Sequence, residues 1–182
     1  HRLLAFGDSI TQGYDVCFTA NRYAARLAEA LNAEEYNRAV GGEVFRPGLV
    51  EAEAADGFRP DWITVAYGTN DWEKLEQPVF RQNAEAFLQK LTARYPETDV
   101  LVVTPIWRQD YETEHTFGAF SDTAEILKKL TAPYEKVRLL EGFDLIPQEL
   151  RFFGDLRVHP NDAGYAIWAK AIRPYLEEVE VK

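Results

Sequence analysis

The stretch Leu3-Leu4-Ala5-Phe6-Gly7-Asp8-Ser9-Ile10-Thr11 is an apolar run that stops abruptly at a glycine, an acid and a hydroxyl. Four consecutive apolar residues bounded by a turn signal fit a strand buried on both faces, the kind found in parallel sheets. Catalytic groups of such sheets gather where strands end. Ser9 therefore stands where a nucleophile would. It also stands where a helix cap would, because Asp8-Ser9 before Ile10 is good N-cap chemistry. A serine nucleophile needs a base and an anion trap, and residues of the right type lie downstream at Gly42, Asn70 and the segment from Asp155 to His159.

Working outward, strand signals recur at Glu35 to Ala39, Trp62 to Tyr67, Val100 to Thr104 and Val137 to Leu140, with helical patterns in the gaps. Tyr23, Leu27 and Leu31 repeat at four-residue spacing with Ala24 and Ala28 alongside, and Asn32 is a stop signal. Pro78 opens a second stripe of Phe80, Ala84, Phe87, Leu88 and Leu91. Asp122 with Glu125 resembles a capping box before Ile126, Leu127 and Leu130. The last stripe is Tyr165, Trp168, Ile172 and Leu176, where Pro174 predicts a kink or an early end. The thinnest pattern is Leu49, Ala52 and Ala55 within Gly48 to Asp56. Strands alternating with helices predict an α/β fold, a three-layer α/β/α sandwich around a parallel sheet with right-handed crossovers.

The 182 residues suffice for one domain with a core that needs neither disulfide nor metal. An apolar content of 46% with 27% charged residues belongs to a globular chain, not a disordered one. No apolar run approaches the ~20 residues of a membrane helix. A net charge of -10 repels nucleic acid and anionic lipid, so a neutral small molecule is the expected partner. The single cysteine, Cys17, leaves no internal disulfide. It fits a reducing compartment. The chain opens almost directly on its first strand, so the expected location is cytoplasmic unless a leader has been removed. The three histidines and one cysteine lack ligand-like spacing, so neither a metal nor another cofactor is expected.

Gly7-Asp8-Ser9, Gly42, Gly68-Thr69-Asn70-Asp71 and His159-Pro160-Asn161 occur in the order, and over nearly the whole span, that resembles the SGNH hydrolase (GDSL esterase/lipase) family. The resemblance implies five parallel strands in the flavodoxin-like order 2-1-3-4-5 and a serine esterase. It assigns Ser9 as nucleophile and His159 as base, with the backbone of Ser9 and Gly42 and the side chain of Asn70 as the oxyanion hole. Gly41 beside Gly42 leaves that alignment open by one residue. Position 11 is Thr, so no Gly-x-Ser-x-Gly elbow is present, and no Gly-x-Gly-x-x-Gly or P-loop follows the first strand.

Elementary chemistry agrees with these roles. Pro160 restricts His159 to extended backbone, and Asn161 or Asp162 can cap the helix that follows. An imidazole takes a serine proton at neutral pH and returns it to the leaving alcohol. An amide such as that of Asn70 donates without carrying charge. The orienting acid departs from the family pattern. The family spacing is Asp-x-x-His, whereas this chain reads Asp155-Leu156-Arg157-Val158-His159. Asp155 serves if the turn bulges by one residue; otherwise it pairs with Arg157 and a carbonyl orients His159. Asp8, Thr69 and Asp71 are assigned to loop shaping by local hydrogen bonds.

Aromatics follow the strands, and Tyr67, Trp72, Trp107 and Arg108 are the expected pocket wall for a sugar or a short acyl chain. No extended apolar lid suits a long lipid. The expected substrate is a small acyl ester, acetyl foremost. A thioesterase or lysophospholipase with the same machinery, and a non-catalytic carbohydrate- or acyl-binding domain with a degenerate acid, are the alternatives.

Overall fold

A computed structural model describes residues 1–52 and 57–177. In chain order the elements are β1 (Arg2–Gly7), α1 (Ser9–Gln12), α2 (Tyr23–Ala30), β2 (Glu34–Asn37), α3 (Gly48–Ala52), β3 (Trp62–Ala66), α4 (Thr69–Lys74), α5 (Gln77–Arg94), β4 (Asp99–Val103), α6 (Asp122–Thr131), β5 (Val137–Leu140) and α7 (Asp162–Glu177). The five strands are all parallel, in the order β2-β1-β3-β4-β5. β1 lies between β2 and β3, which places its end at the point where the winding of the sheet reverses.

β1 is buried on both sides, as its unbroken apolar run requires. Leu3 and Ala5 join one core layer, with Tyr23 and Leu27 of α2 and Tyr165, Trp168, Ile172 and Leu176 of α7. Leu4 and Phe6 join the other, with Phe80, Phe87 and Leu91 of α5 and Ile126 and Leu127 of α6. The period-two alternation of the strand thus feeds two apolar layers, and helical stripes cover each. Gly7 ends β1 because a Cβ there would lie 2.0 Å from Thr11 Oγ1 and 2.9 Å from the Ala66 carbonyl oxygen. Only a glycine lets the chain turn into α1 so close to β3.

Three expectations are corrected. α7 does not end at Pro174 but runs on to Glu177. Ile172 and Leu176 are buried in the core, and Trp62 Nε1 donates to the Leu176 carbonyl at 3.1 Å. Those contacts outweigh the one backbone bond a proline removes. Asp122 does not cap α6, since Ser121 occupies the cap position; the Asp122 carboxylate instead accepts from Ala119 N–H and Gln77 Nε2. β2 stops at Asn37, whose Oδ1 accepts from Ala39 N–H and turns the chain two residues before the expected end. The weak pattern at Leu49 forms α3, while Ala55 and Asp56 lie outside the described residues.

Candidate active site

Asp8 closes the end of β1 and is the N-cap of α1, its Oδ1 accepting from Ile10 N–H at 2.9 Å. With the cap taken by Asp8, the Ser9 hydroxyl is left for another partner. Ser9 Oγ lies 2.8 Å from His159 Nε2, across 150 residues of sequence. His159 Nδ1 in turn lies 2.8 Å from Asp155 Oδ2. The other Asp155 oxygen, Oδ1, accepts from the backbone N–H groups of Arg157, Val158 and His159 at 2.9, 2.9 and 3.0 Å.

The additional residue in this turn is absorbed at Leu156, which adopts a left-handed φ of 56° and leaves its side chain in solvent. That bulge lets Asp155 face the ring despite the longer spacing. The Arg157 guanidinium does not pair with Asp155; it reaches Asp110 and Glu73. Partial burial alone would raise the Asp155 carboxyl, but the N–H groups of Val158, Arg157 and His159 and the bond to the ring hold it below its ordinary value. It is a carboxylate throughout the neutral range. Asn161, not Asp162, caps α7, with Oδ1 accepting from Ala163 and Gly164 N–H.

Around Ser9 a cavity of about 250 Å³ is lined by Tyr14, Gly42, Asn70, Glu73, Arg157 and His159 among others. Gly41 N–H donates to Gln12 Oε1 at 2.8 Å. Gly42, with φ at 78°, has no acceptor for its N–H among the described residues, so of the two glycines it is Gly42 that offers a free donor. The Asn70 amide lines the same cavity. Its Nδ2 is engaged in this resting state, at 3.2 Å from Asp8 Oδ2 and 3.1 Å from the Glu43 carbonyl.

The expected aromatic wall is corrected. Tyr67, Trp72 and Trp107 are buried in the core and do not line the cavity above Ser9. Tyr67 packs on Phe45 and Phe87, Trp107 on Phe153, and Trp72 on Phe120 and His115 while its Nε1 donates to Gly118 O. Arg108 does reach the cavity, but it is 1% exposed and its N–H groups all face protein acceptors on Thr69, Glu73 and Asp110. Tyr14, Asp15, Glu73 and Arg157 are neighbours of the site that no local pattern announces. The Tyr14 ring lies 5.4 Å from the His159 ring. Asp15 Oδ2 stands 3.7 Å from His159 Nδ1, which makes Asp15, Asp155 and His159 the group of described residues that could hold a metal ion.

The side-chain bond of Asp71 is not local: Oδ1 accepts from Phe45 N–H at 3.0 Å, and Oδ2 has no partner among the described residues. Burial pushes both Asp8 and Asp71 up to about 7. Because their folded values lie above the unfolded value near 3.8, the folded state binds more protons between about pH 4 and 7, and stability is lost as pH rises through that window. Moving from pH 8 to pH 6 is therefore expected to add about 1.4 kcal/mol per group, or roughly 3–6 °C in melting temperature. Asp71→Asn should remove about half of that rise in a thermal melt series. An equal pH response in wild type and variant would assign the effect elsewhere.

A five-stranded parallel sheet in the order 2-1-3-4-5 flanked by helices is the fold of the SGNH hydrolases. The chain belongs to the GDSL-like lipase/acylhydrolase family, whose model matches residues 5–167. Membership places it among hydrolases acting on esters. No curated protein matches the sequence. Among solved structures, a Lactobacillus plantarum protein superposes with a TM-score of 0.81 at 22% identity, covering 97% of this chain and 96% of the other. A salicylyl-acyltransferase from a tetracycline biosynthetic pathway gives 0.79 at 18% identity over 100% of this chain and 56% of that protein. A family two carbohydrate esterase from Clostridium thermocellum, solved with cellohexaose, gives 0.75 at 18% identity over 98% of this chain and 64% of the esterase. This chain thus spans little more than half of the acyltransferase and under two thirds of the esterase.

Proposed function

We propose that the protein is a serine esterase that removes small acyl groups, acetyl foremost, from a hydroxylated substrate such as a carbohydrate. The observation that carries this reading is the unbroken hydrogen-bond path from Asp155 through His159 to Ser9, ending in a small cavity. Ser9 Oγ attacks the ester carbonyl while its proton passes to His159 Nε2. Asp155 keeps the other ring proton on Nδ1 and stabilises the imidazolium. The negative charge on the former carbonyl oxygen is met by the N–H groups of Ser9 and Gly42 and by the Asn70 amide, which turns one hydrogen away from Glu43 or Asp8 as the charge develops. Collapse expels the alcohol with the proton from His159. Water, activated by the same ring, then releases the acid from the acyl-enzyme and restores Ser9.

A cavity of about 250 Å³ lies below the usual range for drug-sized ligands, which supports short acyl chains. The carbohydrate alcohol is supported by the fold likeness to family two carbohydrate esterases. The test is a p-nitrophenyl ester series with covalent capture by a fluorophosphonate. The expected result is labelling of Ser9 and a kcat/KM that falls at least about tenfold from acetate to octanoate, since a cavity of about 250 Å³ leaves little room beyond a short acyl chain. A flat or rising profile would replace the acetyl reading with a longer-chain one, and labelling at another residue would remove Ser9.

A further inference from the structure

We propose that Arg157 is a positioning residue that fixes the elongated Asp155–His159 turn against α4, the helix that carries Asn70; the proposal rests on the esterase reading above. Arg157 is tied through its backbone N–H and carbonyl and through two of its guanidinium nitrogens. Its N–H donates to Asp155 Oδ1 at 2.9 Å, and its carbonyl accepts from Gln109 N–H at 2.8 Å. Its guanidinium donates from Nε to Asp110 Oδ2 at 2.9 Å, and its terminal nitrogen lies 2.7 Å from the same oxygen and 3.3 Å from Glu73 Oε1.

Glu73 is on α4 and Asp110 follows β4, so one side chain joins the histidine loop to that helix and to the loop after β4. The same two carboxylates are held from the inside by Arg108, through Nε to Asp110 at 2.6 Å and its terminal nitrogens to Asp110 and Glu73 at 3.0 Å each and to Thr69. The four charges thus form a closed net of two acids between two guanidinium groups. Isolated surface ion pairs contribute little, but networks anchored on a buried arginine are the exception.

Arg157 directly follows the left-handed Leu156, with φ at 56°, and its guanidinium reaches this net. A turn with one residue more than the family pattern has one more pair of free dihedrals, and the net removes that freedom. Hydrogen bonds from Arg108 and Arg157, with their charges, overcome the effect of partial burial and hold Asp110 far below its ordinary value. Glu73 is held low in the same way. Both acids of the net are therefore carboxylates throughout the neutral range.

Removing the Arg157 side chain leaves both carboxylates paired with Arg108, so no buried charge is stranded and the fold survives. The test is a double-mutant cycle on p-nitrophenyl acetate, with Arg157→Met made in wild type and in Asp155→Asn, alongside thermal melts. Arg157→Met should lower kcat about tenfold with KM within about twofold, since small displacements of a catalytic base cost rate more than binding. In the Asp155→Asn background the further loss should be under about twofold, because the turn no longer has a carboxylate to aim. Arg157→Lys should recover part of the rate. A kcat within twofold of wild type, or the same fold-loss in both backgrounds, overturns the proposal. If Arg157→Met does not fold, the same cycle is read on Arg157→Lys with the same criterion. Failure of the esterase reading is separate: it would show as full activity in Ser9→Ala, whatever Arg157 does.

Discussion

Ser9→Ala should reduce kcat for p-nitrophenyl acetate by about 10⁴–10⁶-fold while leaving the melting temperature within a few degrees of wild type. The substitution deletes one oxygen whose partner is His159. It removes no structural cap, because Asp8 caps α1 with its own carboxylate, and Ala is the better helix former at the position. The Ser9 N–H, the Gly42 N–H and the Asn70 amide remain, so a residual rate above that of water is expected from the oxyanion donors alone. Pre-steady-state release of p-nitrophenol separates the cases. Wild type should show a burst equal to the enzyme concentration if deacylation is slow, and the variant none. A variant that keeps a tenth or more of the wild-type rate would show that another group performs the attack.

Much of this site was legible because its parts sit where strands end. β1 and β3 are runs so apolar that only burial on both faces explains them, and Ser9 and Asn70 follow directly. What was not legible is what depends on several segments meeting. Tyr67, Trp72 and Trp107 follow strands and looked like pocket walls, yet residues just past a strand also close the rim of the core, and size favours burial for these three. The net joining Glu73, Arg108, Asp110 and Arg157 pairs residues up to 84 positions apart, and charge patterning reports only near neighbours on one element. The left-handed Leu156 is invisible for a different reason. Leucine has no preference for that region, so tertiary contacts of the turn impose it. Asp8-Ser9 alone reads as a cap, the later blocks made Ser9 the expected nucleophile, and the structure gives the cap to Asp8.

Asp155→Asn should cost about 10²–10⁴ in kcat with KM little changed, and the direction follows from which atoms donate. Asn at this position keeps an oxygen that can accept the N–H groups of Arg157, Val158 and His159, so the turn retains its shape. Its amide then faces His159 Nδ1, where the carboxylate oxygen stood at 2.8 Å. An amide N–H aimed at that nitrogen requires the lone pair there, which places the ring proton on Nε2 and leaves no base for Ser9. The imidazolium formed during attack also loses its counter-charge. Asp15, 3.7 Å from the same nitrogen, retains one carboxylate near the ring, and for that reason the loss should fall short of that in Ser9→Ala. The measurement is kcat and KM for p-nitrophenyl acetate in Asp155→Asn and in the Asp15→Asn/Asp155→Asn double variant. The double variant should be slower again by several-fold. Activity within threefold of wild type in Asp155→Asn would mean that the 2.8 Å contact does not orient the base, and that the backbone around Pro160 alone holds His159 in place.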